Sequence, residues 1–209
     1  MNKDFIIHTP RLTWDEYFMN IAYAVALRGS CCRRQVAAII VKDRRIISTG
    51  YNGTPRGAKH CNEGGCPRCN APKSEVGSGT ALGECLCSHA EENAITQAAY
   101  HGISVKGSTL YSTLGPCLFC SKLIINSGIA EVVYKQTYMY TDAGFELILS
   151  CGISLRQFIE SPMLPEQKDL TTKLTNALAE AIDMLTGELP VDDVRIESLQ
   201  ERLEQGLNS

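Results

Sequence analysis

The sequence has no run of lysine and arginine and no long uninterrupted apolar segment. Its 209 residues carry 20 basic and 23 acidic side chains, for a net charge of −3. A surface that neutralises polynucleotide phosphates needs a basic patch, whereas one phosphorylated nucleotide needs only one or two basic groups. No stretch approaches the roughly 20 apolar residues of a membrane-spanning helix. We therefore expect neither a nucleic-acid partner nor a membrane partner.

The first residues also lack the apolar segment of a secretory signal peptide, so we expect a cytoplasmic protein. The ten cysteines are a high count for that compartment. They fit either a disulfide framework or metal sites, and the reducing cytosol favours metal thiolates. Six of them lie in three close pairs: Cys66 and Cys69, Cys85 and Cys87, and Cys117 and Cys120.

The pattern of apolar residues predicts an α/β domain at residues 1–160. Thr13 and Glu16 form a capping box at the start of the first predicted helix, and helices and short strands alternate after residue 88. The predicted helices are 13–28, 88–101, 116–127 and 142–151, and the predicted strands are 36–41, 46–50, 108–113, 131–135 and 153–158. This order predicts a mixed five-stranded sheet with helices on both faces, in three α-β-α layers.

A change of character after residue 160 predicts a separate helical extension at residues 161–209. Pro162 and Pro165 mark a linker, and two apolar stripes at helical spacing follow. The first stripe is Leu170, Leu174, Leu178, Ile182 and Leu185, and the second is Ile196, Leu199, Leu203 and Leu207. These helices either pack on this domain or a neighbouring subunit, or bind a partner.

Residues 50–83 show no periodicity and are rich in glycine, proline, asparagine and cysteine. A structureless loop of this length is uncommon within a compact domain unless something fixes it. A metal ion bound by the cysteines would do so, because it removes the entropy of an open loop.

Two segments that open predicted helices carry metal-binding side chains. One holds His89 and Glu91, and the other holds Cys117 and Cys120. One imidazole and two thiolates suit tetrahedral zinc with the fourth position left open. The helix N-terminus also favours the thiolate form of cysteine. Glu91 follows His89 too closely to bind the same ion easily, and is placed to move protons.

The pattern His-x-Glu followed by Pro-Cys-x-x-Cys resembles the signature of zinc-dependent nucleobase deaminases. The resemblance implies a hydrolysis in which water activated by zinc attacks C4 of a cytosine ring. Glu91 would pass protons to ring N3 and to the leaving amine. A structural zinc site is the alternative, but the position of both halves before predicted helices favours catalysis.

More specifically, the chain resembles the deoxycytidylate (dCMP) deaminases of the cytidine deaminase-like fold, over residues 11–158. The most discriminating segment is Gly-Tyr-Asn-Gly-Thr-Pro-Arg-Gly at residues 50–57, supported by residues 12–19, 89–94 and 116–120. The resemblance implies deamination of dCMP to dUMP, which feeds thymidylate synthesis. It also implies a homo-oligomer, a hexamer in some members, activated by dCTP and inhibited by dTTP.

The same resemblance assigns three substrate contacts. Asn52 matches an asparagine of the substrate pocket, Arg33 a basic residue near the 5′-phosphate, and Tyr138 an aromatic residue lining the nucleotide site. Each has a plain structural alternative: a turn residue for Asn52, a solvated surface charge for Arg33, and a core or interface aromatic for Tyr138.

A second, structural zinc is a further expectation from the resemblance. Cys31, Cys61 and Cys87 match ligand positions of that zinc, and the fourth ligand is expected to be Cys69, with Cys66 and Cys85 as alternatives. Because six candidates exceed the four ligands of one closed site, some are spare or a further ion binds. We expect at least two zinc ions per chain, and small core roles for Cys32 and Cys151.

Three other functions compete with dCMP deamination. The first is deamination of another free cytosine nucleotide such as dCTP. The second is a catalytically silent, zinc-stabilised interaction module, against which the intact Glu91 and the open three-ligand site argue. The third is a polynucleotide deaminase, against which the low basicity argues.

Overall fold

The computed structural model describes residues 11–77, 80–138 and 141–160. Its helices are α1 (Trp14–Ala26), α2 (Pro67–Asn70), α3 (Ala90–Tyr100), α4 (Leu118–Asn126) and α5 (Asp142–Ser150). Its strands are β1 (Ala37–Lys42), β2 (Arg45–Tyr51), β3 (Thr109–Leu114), β4 (Glu131–Gln136) and β5 (Ser154–Gln157). Two 3₁₀ turns, Cys61–Glu63 and Leu82–Glu84, lie in the long connection between β2 and α3.

The five strands form one mixed sheet in the order β2-β1-β3-β4-β5. Strand β1 is antiparallel to both β2 and β3, while β3, β4 and β5 run parallel. The tight β1–β2 hairpin and the two helical crossovers account for this mixture, since parallel neighbours need a long connection. The predicted mixed five-stranded sheet is confirmed.

Strand β1 shows why helices cover both faces of the sheet. Ala38 and Ile40 pack in a core with α3, α4 and α5, whereas Ile39 and Val41 pack in a second core with α1. Successive side chains of a strand point to opposite faces. An uninterrupted apolar strand therefore supplies two cores, and the three-layer arrangement is confirmed.

The helix boundaries differ from those predicted by one or two residues at most ends. The capping box is present, with Glu16 N–H donating to the Thr13 hydroxyl at 3.3 Å. Helix α4 begins at Leu118 rather than at Pro116, because Cys117 is extended (φ −73°, ψ 169°) and is the N-cap. The thiol of Cys117 thus lies just outside the helix, beside its free N–H groups.

The predicted extension at residues 161–209 lies outside the described residues, as do residues 1–10. Within the described part of the chain, no helix is both long enough and apolar enough to cross a membrane.

A charged network that sequence reasoning missed joins α1 to the far edge of the sheet. Arg156 of β5 donates from both terminal nitrogens to the Asp15 carboxylate, at 2.5 and 2.9 Å, and from Nε to Glu131 at 2.8 Å. Tyr111 donates its hydroxyl to Asp15 at 2.8 Å. The hydrogen bonds from Arg156 hold the pKa of Asp15 below its ordinary value of 3.8. A two-pronged guanidinium–carboxylate pair of this kind fixes orientation as well as adding energy.

Replacing Asp15 with Asn and Arg156 with Gln, singly and together, tests the contribution of this network. We expect each single change to lower the free energy of unfolding by about 1 kcal/mol, the upper end for a partly exposed pair. The double variant should lose less than the sum of the two. Denaturant unfolding at pH 7 measures all three variants, with the exposed turn residue Asp43→Asn as control. Strictly additive losses would contradict a coupled pair.

The stabilisation by Asp15 depends on pH. Because folding lowers the pKa of this carboxyl, its stabilisation is present above 3.8 and is lost as the pH falls below that value. The difference in unfolding free energy between the unmodified chain and Asp15→Asn should therefore be smaller at about pH 3 than at pH 7. A difference that stays constant with pH would show that charge does not carry the effect.

Candidate active site

Two helix N-termini lie side by side next to the end of β3. His89 is the N-cap of α3, Cys117 is the N-cap of α4, and Cys120 lies in the first turn of α4. The Nδ1 atom of His89 lies 3.4 Å from the Sγ atom of each cysteine. The three ligand atoms all lie within 4.8 Å of one another. The structure therefore brings together the imidazole and the two thiols that the sequence pattern predicts.

Close packing of β2 against α3 sets the position of His89. A Cβ atom at Gly50 would lie 2.2 Å from the carbonyl oxygen of Ala90, so only glycine allows this approach. Three residues later, Gly53 pairs with Ser88 in an antiparallel bridge. The glycine-rich segment at residues 50–57 is thus fastened directly beside the histidine.

The donor set fits zinc. Zinc–sulfur bonds of about 2.3 Å and zinc–nitrogen bonds of about 2.0–2.1 Å in a tetrahedron place nitrogen and sulfur roughly 3.6 Å apart. The nitrogen–sulfur distances of 3.4 Å come close to that edge. His89, Cys117 and Cys120 could hold the ion, and three protein ligands are the number typical of a catalytic zinc site.

The local electrostatics favour the thiolate form of Cys117. A hydrogen bond from Cys120, followed by one from His89, lowers the pKa of Cys117 to about 4. The same contact with Cys117 raises the pKa of His89 to about 9. Without a metal, the pair thus favours a thiolate beside an imidazolium. A divalent cation would replace that imidazolium proton and use the same thiolate.

Glu91 is a buried carboxyl beside the metal ligands. It is 4% exposed, and the Ser112 hydroxyl donates to its Oε1 at 3.4 Å. Burial raises the pKa of Glu91, while the positive charge on His89 opposes that shift. A carboxyl with a raised pKa can both accept and release protons near neutral pH.

Most of the predicted site residues line one pocket. His89, Glu91 and Cys117 line it together with Asn52 and Tyr138. Burial raises the pKa of the Tyr138 hydroxyl, with smaller contributions from the nearby Cys117 and Glu91 charges. The predicted catalytic and nucleotide-contacting positions therefore face the same space, although they come from distant parts of the chain.

The Asn52 amide also holds the backbone that enters β1. Its Nδ2 donates to the carbonyl of Arg34 at 2.7 Å, and its Oδ1 accepts from the N–H of Val36 at 2.9 Å. An amide nitrogen has two hydrogens and an amide oxygen has two lone pairs, so each atom keeps capacity for a further bond.

Arg33 lines the pocket and fastens its loop. Its guanidinium donates to three backbone carbonyls, those of Cys69 (2.6 Å), Ala71 (2.5 Å) and Val76 (3.3 Å). A guanidinium has five N–H donors, so part of its capacity is left. The next residue, Arg34, is exposed and lines the same pocket. The sequence pattern did not predict a role for Arg34. The only signal for it in the sequence is its position directly after Arg33.

Six further cysteines meet beside this pocket. Two sets of four thiols each lie within 4.8 Å of one another: Cys31, Cys61, Cys69 and Cys87, and Cys66, Cys69, Cys85 and Cys87. All ten cysteines lie in the described residues and none forms a disulfide. The prediction of small core roles for Cys32 and Cys151 is wrong, since both are exposed. Cys32 lies in a bend before β1, and Cys151 lies in the turn that follows α5.

Known proteins resemble this chain over the same region. The family of the cytidine and deoxycytidylate deaminase zinc-binding region matches residues 12–136. The deoxycytidylate deaminase of Schizosaccharomyces pombe is 46% identical over 149 residues, which are 71% of this chain and 45% of that protein. The enzyme of the same name from Saccharomyces cerevisiae is 45% identical over 148 residues, 71% of this chain and 46% of that protein. The chain thus spans somewhat under half the length of these two relatives.

A solved structure shares the fold. The dCMP deaminase of cyanophage S-TIM5, crystallised with dCMP and dUMP, superposes with a TM-score of 0.59 at 29% identity, covering 72% of this chain and all of that one. The family match extends over more than half of the 209 residues and includes the histidine and both cysteines of the candidate metal site. The chain therefore belongs to the cytidine and deoxycytidylate deaminase family.

Proposed function

We propose that the chain catalyses hydrolytic deamination of dCMP to dUMP. The observation that carries this proposal is the buried carboxyl of Glu91, which lines one pocket with His89 and Cys117, two members of the three-ligand set that Cys120 completes. A structural zinc site needs no buried carboxyl beside its ligands. The names of the yeast and cyanophage relatives support dCMP as the substrate.

His89, Cys117 and Cys120 would hold the zinc ion, which when bound would supply a water of lowered pKa as the nucleophile. Glu91 takes one proton from the attacking water and gives it to ring N3. The water oxygen bonds to C4, and Glu91 transfers the second proton to the exocyclic amine. The C4–N bond then breaks, ammonia leaves, and a uracil ring remains. The Ser112 hydroxyl lies 3.4 Å from Oε1 of Glu91 and the same distance from the carbonyl oxygen of Ala37, so its one hydrogen can be donated to either.

The substrate contacts follow from the lining of the pocket. Asn52 and Tyr138 are proposed to contact the nucleoside, and Arg33 the 5′-phosphate. Arg34 is proposed to share that phosphate, because it is exposed and lines the same pocket, while Arg33 also donates to three carbonyls. Two arginines suit a phosphate dianion better than one.

A second, structural zinc is also proposed, bound by Cys31, Cys61, Cys69 and Cys87, with Cys66 and Cys85 as alternatives. Closed coordination by four thiolates is typical of structural zinc. The mutual proximity of these four thiols supports the assignment. Such an ion would hold the β2–α3 connection against the pocket.

The family resemblance also supports proposals about location, assembly and regulation. We propose a cytoplasmic homo-oligomer, a hexamer in keeping with some family members, regulated by dCTP and dTTP. The division into a deaminase domain at residues 1–160 and a helical extension at residues 161–209 is likewise proposed.

Glu91→Gln tests the proton-transfer role. The substitution keeps the size of the side chain but removes its basicity, so we expect kcat to fall by about 10²–10⁴-fold while zinc content is unchanged. Turnover of dCMP and zinc analysis of the same preparation measure both. Glu92→Gln is the matched control, because an amide oxygen can still accept from the His89 N–H that Glu92 binds at 3.1 Å. An undiminished rate in Glu91→Gln would refute the assignment.

Arg33→Ala and Arg34→Ala test phosphate recognition. A charge-assisted hydrogen bond contributes roughly 1.5–3 kcal/mol, so each variant should raise KM for dCMP about 10- to 100-fold. Turnover of deoxycytidine, which has no phosphate, should change little in Arg34→Ala. Arg33→Ala should also lower the melting temperature, because three carbonyls lose their donor. Arg45→Ala, exposed at the start of β2, is the control. An unchanged KM for dCMP in both variants would contradict this assignment.

A comparison of dCMP, dCTP, deoxycytidine and single-stranded DNA as substrates separates the competing functions. We expect loss of cytosine absorbance to be fastest with dCMP. Faster turnover of dCTP would assign a triphosphate substrate, activity on DNA a polynucleotide deaminase, and no turnover of any substrate a silent interaction module.

A further inference from the structure

Six of the eight cysteines outside the catalytic site form one cluster. Four of them are buried, and Cys61 and Cys66 are fully inaccessible to solvent. Each of the two four-thiol sets could surround one ion, and the sets have Cys69 and Cys87 in common. Two tetrahedra that share an edge also have two corners in common and two further corners each, so the two sets of thiols have the arrangement of such a pair.

The measured separations match the edges of zinc–thiolate tetrahedra. A zinc–sulfur bond of about 2.3 Å gives a sulfur–sulfur edge of roughly 3.8 Å. On one side, Cys31 and Cys69 are 3.8 Å apart. On the other, Cys69 lies 3.5 Å from Cys85, and Cys66 lies 3.9 Å from Cys85. These distances are much longer than the sulfur–sulfur bond of a disulfide. The exposed Cys32, which belongs to neither four-thiol set, also lies 3.7 Å from Cys61 and donates to the Cys69 carbonyl at 3.3 Å.

We propose that the six cysteines hold two zinc ions in a binuclear thiolate cluster, with Cys69 and Cys87 bridging both ions. Cys31 and Cys61 complete the first tetrahedron, and Cys66 and Cys85 complete the second. Each thiol releases its proton to solvent as its sulfur binds zinc. This inference goes beyond the single structural zinc proposed above, and it is independent of the reaction, because none of these thiols belongs to the catalytic set.

A single ion would leave two thiols of the cluster unused. If Cys31, Cys61, Cys69 and Cys87 bound one zinc, Cys66 would be a fully buried sulfur with no metal although the N–H of Leu86 donates to it at 3.3 Å. Sharing two thiolates avoids this without extra negative charge. Two zinc ions with six thiolates carry the same net charge as one zinc with four.

A buried cation balances the negative charge at one bridging position. Arg68 is 8% exposed, and its Nη1 lies 3.9 Å from the sulfur of Cys69. Its other nitrogens donate to the carbonyls of Gly77 and Thr80. Buried charges are normally paired or bound to metal sites. Across the described residues Arg68 forms no ion pair with a carboxylate, and a thiolate cluster supplies the opposite charge.

The cluster would also order the long β2–α3 connection. Its ligands come from the segment before β1 (Cys31), a 3₁₀ turn (Cys61), the α2 region (Cys66 and Cys69) and the run before α3. Cys31, Cys69, Cys85 and Cys87 line the same pocket as His89 and Glu91. The two-ion cluster would therefore be one wall of the active site, joined to it through Ser88, the single residue between Cys87 and His89.

Zinc stoichiometry tests the proposal directly. Full-length protein purified without added zinc should carry three ions per chain, by native mass spectrometry and elemental analysis together. His89→Ala should carry two, because it weakens only the catalytic site. Two ions in the unmodified chain would overturn the binuclear cluster while leaving the proposed reaction intact. Iron in place of zinc would also overturn it.

Substitutions at unshared and shared positions separate the two ions. The double variant Cys66→Ser/Cys85→Ser should lose one ion and keep two. Cys69→Ser, at a bridging position, should weaken both ions of the cluster. Cys151→Ser, at an exposed cysteine outside the cluster, is the control and should keep all three. Retention of three ions in the double variant would overturn the assignment of its ligands.

Two measurements on the unmodified chain avoid dependence on variants that fail to fold. In protein reloaded with ¹¹³Cd, the β-protons of Cys69 and Cys87 should couple to two cadmium nuclei, and those of the other four cysteines to one. Alkylation of the native protein should modify the exposed Cys151 and spare the six cluster cysteines, and chelation should expose those six. Coupling of every cysteine to a single cadmium, or rapid alkylation of Cys85 before chelation, would overturn the proposal.

Discussion

The active site depends on the packing of two helix N-termini against each other, with the end of β3 beneath them. Free N–H groups and aligned peptide dipoles make this region electropositive, which favours thiolates and anions. His89 caps one helix and Cys117 caps the other, so their side chains project from extended backbone into the gap between them. The buried carboxyl of Glu91 is held within the first turn of α3. If the two helices were separated, the same residues would be three unrelated surface ligands and an ordinary helical glutamate.

The sheet maintains that packing from both sides. Alternate residues of β1 fill two cores, one against α1 and one against α3, α4 and α5. The missing side chain at Gly50 allows α3 to come within contact distance of β2. Above this rigid base, the connection between β2 and α3 contains little regular structure, and its shape depends on Arg33, Arg68 and the cysteine cluster. Rigid elements thus position the catalytic groups, while a loop held by side chains closes the pocket around them.

Much of the fold could be predicted because its elements are locally encoded. The capping box of α1, the apolar run of β1 and the alternation after residue 88 each depend on a few neighbouring residues, and each matches the structure within one or two residues. Helix α4 starts two residues later than predicted, because proline is acceptable both inside and just before a helix, and the backbone angles of Cys117 decide between the two. The exposure of Cys32 and Cys151 could not be predicted from residue type, because burial depends on which segments meet.

The sequence by itself determined the chemistry available to this protein: one imidazole, two thiolates and a carboxyl at spacings typical of zinc-dependent deaminases. These are covalent properties of the chain and need no folding to be recognised. Only the tertiary structure decided which distant groups meet. It brought Asp15 to Arg156, used Arg33 to hold three carbonyls beside the exposed Arg34, and arranged six cysteines in two overlapping sets. The physical reason is that such contacts depend on the path of the whole chain, which no local pattern of residues specifies.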